Sequence, residues 1–226
     1  MKDDTTSIIL IFLIFIFLIW MIHDKLKNKK WFIEAMSDGV RKKVILMGDG
    51  FLNNNNYVEP PDDIKTIITN QKGLVLAKKK TTIKDLERQL ISIPEKYNQV
   101  GTTIFISAGG MDLKNNYRYG SEQDLTKFYE ILKEYKVTIK KIKQKISYAQ
   151  IVLCDLSSMK LEASENMFKR WNKEIHSFAK DNNFSVMKIS TLFSNEEYIV
   201  KNMDPSKKGG NKIISAIENG KYDIPK

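Results

Sequence analysis

The chain has 226 residues, 42% of them hydrophobic, and a formal net charge of +10 that comes almost wholly from lysine. That length and apolar content fit one domain with an appendage, and the single cysteine, Cys154, excludes intrachain disulfides and cysteine-based metal clusters. The basic balance favours anionic partners such as lipid headgroups; no nucleic-acid-binding motif accompanies it, so nucleic acid is not expected as a partner.

Residues 1–6 form a short polar tail. Ser7 to Ile22 is an uncharged run of Ile, Leu and Phe with one Trp and one Met. With its flanks it is just long enough to span a thin bilayer, so residues 7–23 read as a transmembrane helix. A segment apolar on every side does not suit the surface of a soluble domain. A cleaved signal peptide fits poorly, because Met1-Lys2-Asp3-Asp4 is no basic n-region and no small-residue cleavage site closely follows Ile22. Lys25, Lys27, Lys29 and Lys30 follow the span, whereas Lys2 alone precedes it beside two aspartates. The positive-inside rule then leaves the N-terminus outside and the domain on the cytoplasmic side. Residues 24–42 form a basic juxtamembrane linker that can meet anionic headgroups, and residues 43–226 remain for the domain.

Within that domain, short apolar runs at 43–47, 73–76, 102–107, 150–154 and 184–189 read as strands. Ile83, Leu86, Leu90 and Ile93 share one helical face, with Thr81 or Thr82 as cap and Pro94 as stop. Leu125, Phe128, Leu132, Tyr135, Ile139, Ile142 and Ile146 mark one long amphipathic helix with a lysine-rich outer face. Met167, Trp171, Ile175 and Phe178 mark the helix before the fifth strand, and Ile213, Ile214 and Ile217 the last one. This alternation predicts a three-layer α/β/α sandwich around a parallel sheet of about five strands. Cys154, at the end of an apolar run, reads as a buried and inert thiol.

The first strand run ends at Gly48-Asp49-Gly50-Phe51-Leu52, followed by Asn53-Asn54-Asn55-Asn56. Loops at the carboxyl ends of parallel strands are where ligands bind, which makes Asp49, Gly50 and Asn54 candidate ligand contacts. Gly48-Asp49-Gly50 resembles the first block of the SGNH (GDSL) hydrolases, with Gly50 where the nucleophilic serine stands in that family. The resemblance continues in order. Lys80, in Leu76-Ala77-Lys78-Lys79-Lys80, falls at the oxyanion glycine of the second block. Gly109-Gly110-Met111-Asp112 resembles Gly-x-Asn-Asp, with Met111 at the oxyanion asparagine. Trp171-Asn172 resembles a Trp-Asn pair found before the last strand. In Lys201-Asn202-Met203-Asp204-Pro205-Ser206, Lys201 takes the place of the acid and Asp204 that of the histidine.

The resemblance implies the fold of an ester hydrolase in which the catalytic positions Gly50, Lys80, Met111, Lys201 and Asp204 are all replaced. It therefore points to a pseudoenzyme that binds or scaffolds. Gly110, Asp112 and Asp204 join the candidate ligand contacts. Three aspartates at one end of a sheet could hold a divalent cation, but aspartates in turns commonly fix their own loops, so no metal and no cofactor is assigned. Ser107, at the end of a strand, and Ser206, a helix cap, offer no obvious replacement nucleophile. His176 reads as structural and His23 as a membrane flank. The alternatives are an active esterase with a displaced nucleophile and a basic module that binds anionic lipid. A nucleotide-binding reading of Gly48-Asp49-Gly50 lacks its third glycine, because Asn53 stands there.

Overall fold

The computed structural model describes residues 43–116, 122–157, 165–193, 196–200 and 204–223. The expected membrane span, the linker and Lys201 lie outside these. Among the described residues no helix is long and apolar enough to cross a membrane.

Five strands, Lys43–Gly48 (β1), Leu74–Val75 (β2), Thr102–Ser107 (β3), Gln150–Cys154 (β4) and Ser185–Met187 (β5), form one sheet in the order β2-β1-β3-β4-β5. Every pairing is parallel. Register is fixed by side chains that alternate between the two faces. Ile45, Met47, Ile104, Ile106, Ile151 and Leu153 point into one core. Leu46, Phe105, Val152 and Cys154 point into the other. A sheet buried on both faces needs helices on both, and that is why the strands read as continuous apolar runs.

The first face is covered by Ile83–Ile91 (α2), Glu122–Lys145 (α4) and Glu165–Asp181 (α5), through Leu86, Leu90, Phe128, Leu132, Tyr135 and Trp171. Trp171 lies edge-on to Tyr135 at 5.2 Å between ring centroids, a geometry worth about 0.5–1.5 kcal/mol beyond the area it buries. The second face is covered by Ile64–Asn70 (α1), Ile189–Leu192 (α6) and Lys207–Glu218 (α7), through Ile64, Ile68, Ile189, Ile213 and Ile217. The α/β/α sandwich is as the alternation predicts, and Cys154 is buried, its thiol pushed up by that burial.

Details differ from the sequence reading. The fifth strand covers only Ser185–Met187 of the expected 184–189, because Ile189 opens α6. The second strand shrinks to Leu74–Val75 because it is an edge strand paired only with Ile45 and Leu46. Helix α1 and a further helix, Gly110–Asn116 (α3), are not predicted by periodicity, since each buries so few apolar side chains: Ile64 and Ile68 in one, Leu113 in the other. The helix start predicted at Thr81 or Thr82 falls at Thr82, whose N–H and hydroxyl both donate to the Asp85 carboxylate at 2.9 and 2.8 Å. The reciprocal capping pattern explains the choice.

Candidate functional site

In this strand order the chain reverses direction across the sheet between β1 and β3, and the crevice beyond their carboxyl ends is the expected ligand position. The two ends are fastened together. The Asp49 N–H donates to the Ser107 carbonyl at 2.7 Å. Gln89 accepts from the Gly48 N–H at 2.6 Å and donates back to the Gly48 carbonyl at 3.1 Å. Gly48 has φ +111°, and a Cβ there would lie 1.8 Å from the Ser107 carbonyl oxygen, so only glycine fits.

The Asp49 side chain is set by this join. Its Oδ1 accepts from the Ser107 hydroxyl at 2.8 Å and from the Phe51 N–H at 3.1 Å. Burial nevertheless outweighs those bonds and pushes its carboxyl from 3.8 up to about 7, with the charges of Asp204 and Asp112 adding to the shift. Ser107 is itself buried, and its hydroxyl is committed to Asp49.

Gly50 follows. A Cβ on it would lie 2.8 Å from Asp204 Oδ1 and 3.3 Å from the Lys79 Cα. Asp204 is brought here by the loop ahead of α7, where Val200 donates to the Asp204 carbonyl at 2.9 Å and Ile199 bridges to Pro205. The other carboxylate oxygen, Oδ2, stands 3.5 Å from the Lys79 ammonium. Lys79 also donates to the Tyr57 hydroxyl and lies 4.4 Å from the centre of the Tyr57 ring. Burial raises the Asp204 carboxyl above the usual range, and the opposite charge of Lys79 opposes that shift. The Tyr57 hydrogen bond holds the Lys79 ammonium above its ordinary value.

The remaining walls come from the ends of β3 and β4. Gly109, at φ +101°, lets the chain pass the Trp171 indole, which would lie 2.3 Å from a Cβ at that position. Asn172 holds the opposite wall: its Oδ1 accepts from the Leu156 N–H at 2.8 Å and its Nδ2 donates to the Leu156 carbonyl at 2.7 Å. Together these segments enclose a cleft of about 150 Å³. Phe51, Met111 and Leu156 give it apolar walls, Asp49, Gly50, Gly110, Ser157 and Asp204 its floor, and Lys79, Lys80 and Lys114 its cationic side. Lys80 has φ +62°, the left-handed conformation that glycine favours, at the position matched to the family's glycine.

Of the residues singled out in the sequence, Asp49, Gly50, Lys80, Gly110, Met111 and Asp204 therefore meet at this cleft. Asp112 does not line it: its carboxylate accepts from the Ile83 N–H at 3.1 Å and so finishes the start of α2. Asn54 is fully buried, accepts from the Ile64 N–H at 2.8 Å and donates to the Ser206 carbonyl at 3.4 Å, which spends its amide on joining α1 to α7. Ser206 caps α7 by accepting from the Gly209 N–H at 3.2 Å. His176 lies off the cleft lining, with Nε2 at 3.1 Å from the buried Asp155 carboxylate, which Ser190 also engages through its N–H and hydroxyl. Among the described residues no three His, Cys, Asp or Glu side chains converge as metal ligands.

Sequence reasoning missed Lys79 and Ser157 at the cleft, and Tyr57, which holds Lys79. Lys79 sits in a triplet of lysines, and only the turn geometry selects the one that reaches Asp204. Tyr57 follows an asparagine run without any periodic signal.

No family model matches the sequence, and no curated protein matches it. Solved structures do match. A psychrotrophic esterase, EstA, from Pseudoalteromonas sp. is 12% identical with a TM-score of 0.58, over 79% of this chain and 98% of that one. A GDSL-like lipase from Bacteroides thetaiotaomicron is also 12% identical with a TM-score of 0.58, over 83% of this chain and 94% of its own. A phospholipase A1 from Streptomyces albidoflavus gives 12% identity and a TM-score of 0.58, over 80% and 99%. The domain has an SGNH/GDSL hydrolase-like fold.

Proposed function

We propose that the protein is a binding module that keeps the SGNH/GDSL hydrolase-like fold without its hydrolytic chemistry, held at a membrane by residues 7–23. The observation that carries this reading lies at Gly50. No hydroxyl stands at the end of β1, and the Asp204 carboxylate takes the space that a side chain there would need. Ester hydrolysis through a covalent intermediate needs a nucleophile, a base and donors aimed at the oxyanion. Gly50 offers no nucleophile, Met111 has no hydrogen-bond donor in its side chain, and Asp204 is paired with Lys79. Losing the nucleophile alone costs on the order of 10^6 in kcat in a well-studied serine hydrolase. The cleft itself survives. Apolar walls with lysines beside them suit a small acyl or acidic ligand that is held and not turned over.

For the membrane, the support is the uncharged run at residues 7–23 and the lysines after it, which by the positive-inside rule favour an N-terminus outside and a domain on the cytoplasmic side. Resistance to carbonate extraction, with the domain protected from protease added to intact cells, is the expected result. Extraction of the chain into the supernatant would remove the anchor from this reading.

A second reading, an esterase with a displaced nucleophile, is favoured by one observation: among the described residues, Ser157 is the only hydroxyl-bearing one that lines the cleft. Hydrolysis of short acyl p-nitrophenyl esters by the full chain decides between them. Background rates from a folded chain support the binding module. Turnover abolished by Ser157→Ala would overturn it.

A further inference from the structure

The three most exposed large hydrophobic side chains among the described residues are Ile91, Val100 and Tyr148, at 75, 68 and 66%. All three lie at one end of the domain. Ile91 ends α2, Val100 precedes β3 and Tyr148 precedes β4; in a parallel sheet the amino ends of the strands share one side, opposite the cleft. Hydrogen bonds tie this end into one surface. The Tyr148 N–H donates to Asn98 Oδ1 at 3.3 Å, and Asn98 Nδ2 donates to the Lys145 carbonyl at 3.4 Å. Lys43 donates through its N–H to the Gly101 carbonyl and through its ammonium to the Lys96 carbonyl, each at 3.1 Å. The Tyr97 hydroxyl donates to the Lys72 carbonyl at 3.4 Å.

The charge around these side chains is mostly positive, although Asp181 and Glu218, at the ends of α5 and α7, also reach this end of the domain. Residues 91–101 and 143–149, with Lys43 and Lys72, carry five lysines (43, 72, 96, 143 and 145) and one acid, Glu95. None of the five lysines has an ion-pair partner among the described residues. On the outer face of α4, Lys127, Lys136 and Lys141 are matched by Glu130, Glu174 and Glu87, whereas Lys133 and Lys140 have no ion pair among the described residues. Lys43, the first described residue, opens β1 at this end.

We infer that the strand-amino end of the domain is a docking surface for anionic lipid, with Val100 and Tyr148 at headgroup level, the unpaired lysines on the phosphates, and the cleft turned away from the bilayer. An exposed apolar patch marks a site of interaction, tyrosine favours the membrane–water interface, and lysines near an anionic leaflet are drawn to it. Lipid is the occupant because the apolar side chains are set among uncompensated positive charges. The inference rests on the reading of residues 7–23 as an anchor.

The test uses the full chain with one engineered thiol. Cys154 is buried and does not compete for label. Val100→Cys and, at the cleft end, Asn56→Cys are labelled with bimane and reconstituted into phosphatidylcholine vesicles with or without phosphatidylserine, each doped with a nitroxide-headgroup lipid. Quenching at position 100 is expected to exceed that at position 56 several-fold, to need phosphatidylserine and to weaken with salt. Equal quenching at the two positions, in a chain that resists carbonate washing, would overturn the docking surface and leave the anchor standing. Loss of the chain on carbonate washing would overturn the anchor, and the docking surface with it. Protection of position 100 from a water-soluble quencher without vesicles would assign this end to a protein contact and also overturn the inference.

Discussion

Asp204 Oδ1 lies 2.8 Å from the point where a Cβ on Gly50 would sit. No Cβ in a real structure comes that close to an oxygen without displacement, so the two positions are coupled: the glycine makes room for the carboxylate, and the carboxylate closes the room for a side chain.

Gly50→Ser alone is therefore expected to destabilise the domain by about 1 kcal/mol, the low end of the overpacking cost, because the oxygen it meets ends a side chain beside an open cleft. In an Asp204→Ala background the same substitution should cost much less. Urea unfolding of the four chains of this cycle measures the coupling. Equal costs in both backgrounds would mean that Gly50 and Asp204 do not share the space.

Asn172 gives a second test, in the cleft wall. Its amide is the hydrogen-bond partner of both the N–H and the carbonyl of Leu156, a residue only 3% exposed. Asn172→Ala leaves buried backbone groups without those bonds, and each such group costs about 1–3 kcal/mol. A loss within or above that range is expected in chemical denaturation, while an exposed change such as Asn56→Ala should cost little. A neutral Asn172→Ala would show that water replaces the clamp.

How far the sequence reached depended on what each residue is asked to do. The strands Thr102–Ser107 and Gln150–Cys154 were legible to the residue, because a strand buried on both faces carries a continuous run of apolar and β-branched residues with polar ones only at its ends. The edge strand and the helix Gly110–Asn116 bury too little to leave a pattern. At the site, the order of the blocks was enough to bring Gly50 and Asp204 together, since each follows or precedes a recognisable element. The asparagine run was not decipherable in the same way. Asn54 is fully buried and Asn55 is exposed, yet nothing in four identical residues distinguishes the one that ties α1 to α7. The partner of Asp204 was hidden for the same reason, inside Lys78-Lys79-Lys80.

Lys80 makes a third prediction. At φ +62° a residue with a Cβ is strained by roughly 1–2 kcal/mol, and glycine gives back about 0.5–1 kcal/mol through the flexibility of the unfolded chain. Lys80→Gly should therefore stabilise the domain by up to about 1 kcal/mol. Lys80→Ala keeps the Cβ and should not. The difference in thermal midpoint between the two variants isolates the backbone from the lost charge, and a more stable alanine variant would contradict the left-handed assignment.

The pH dependence of stability follows from Asp49. Its carboxyl titrates near 3.8 when the chain is unfolded and at about 7 when it is folded, because burial outweighs the bonds from Ser107 and Phe51. Between those values the folded state binds the extra proton, so stability falls as pH rises. The contribution is fully present below 3.8 and is lost as pH passes about 7. Asp204 and Asp112 are raised as well, with burial the largest cause in each, and they act with the same sign. Asp49→Asn keeps an acceptor for the Ser107 hydroxyl and removes the titration. The parent chain should lose stability relative to this variant through the window between 3.8 and about 7, and the variant should be at least as stable above it. Urea midpoints taken across that range read the difference directly. If parent and variant ran parallel, Asp49 would be ionised throughout, and the dominance of burial over the bonds from Ser107 and Phe51 would be wrong.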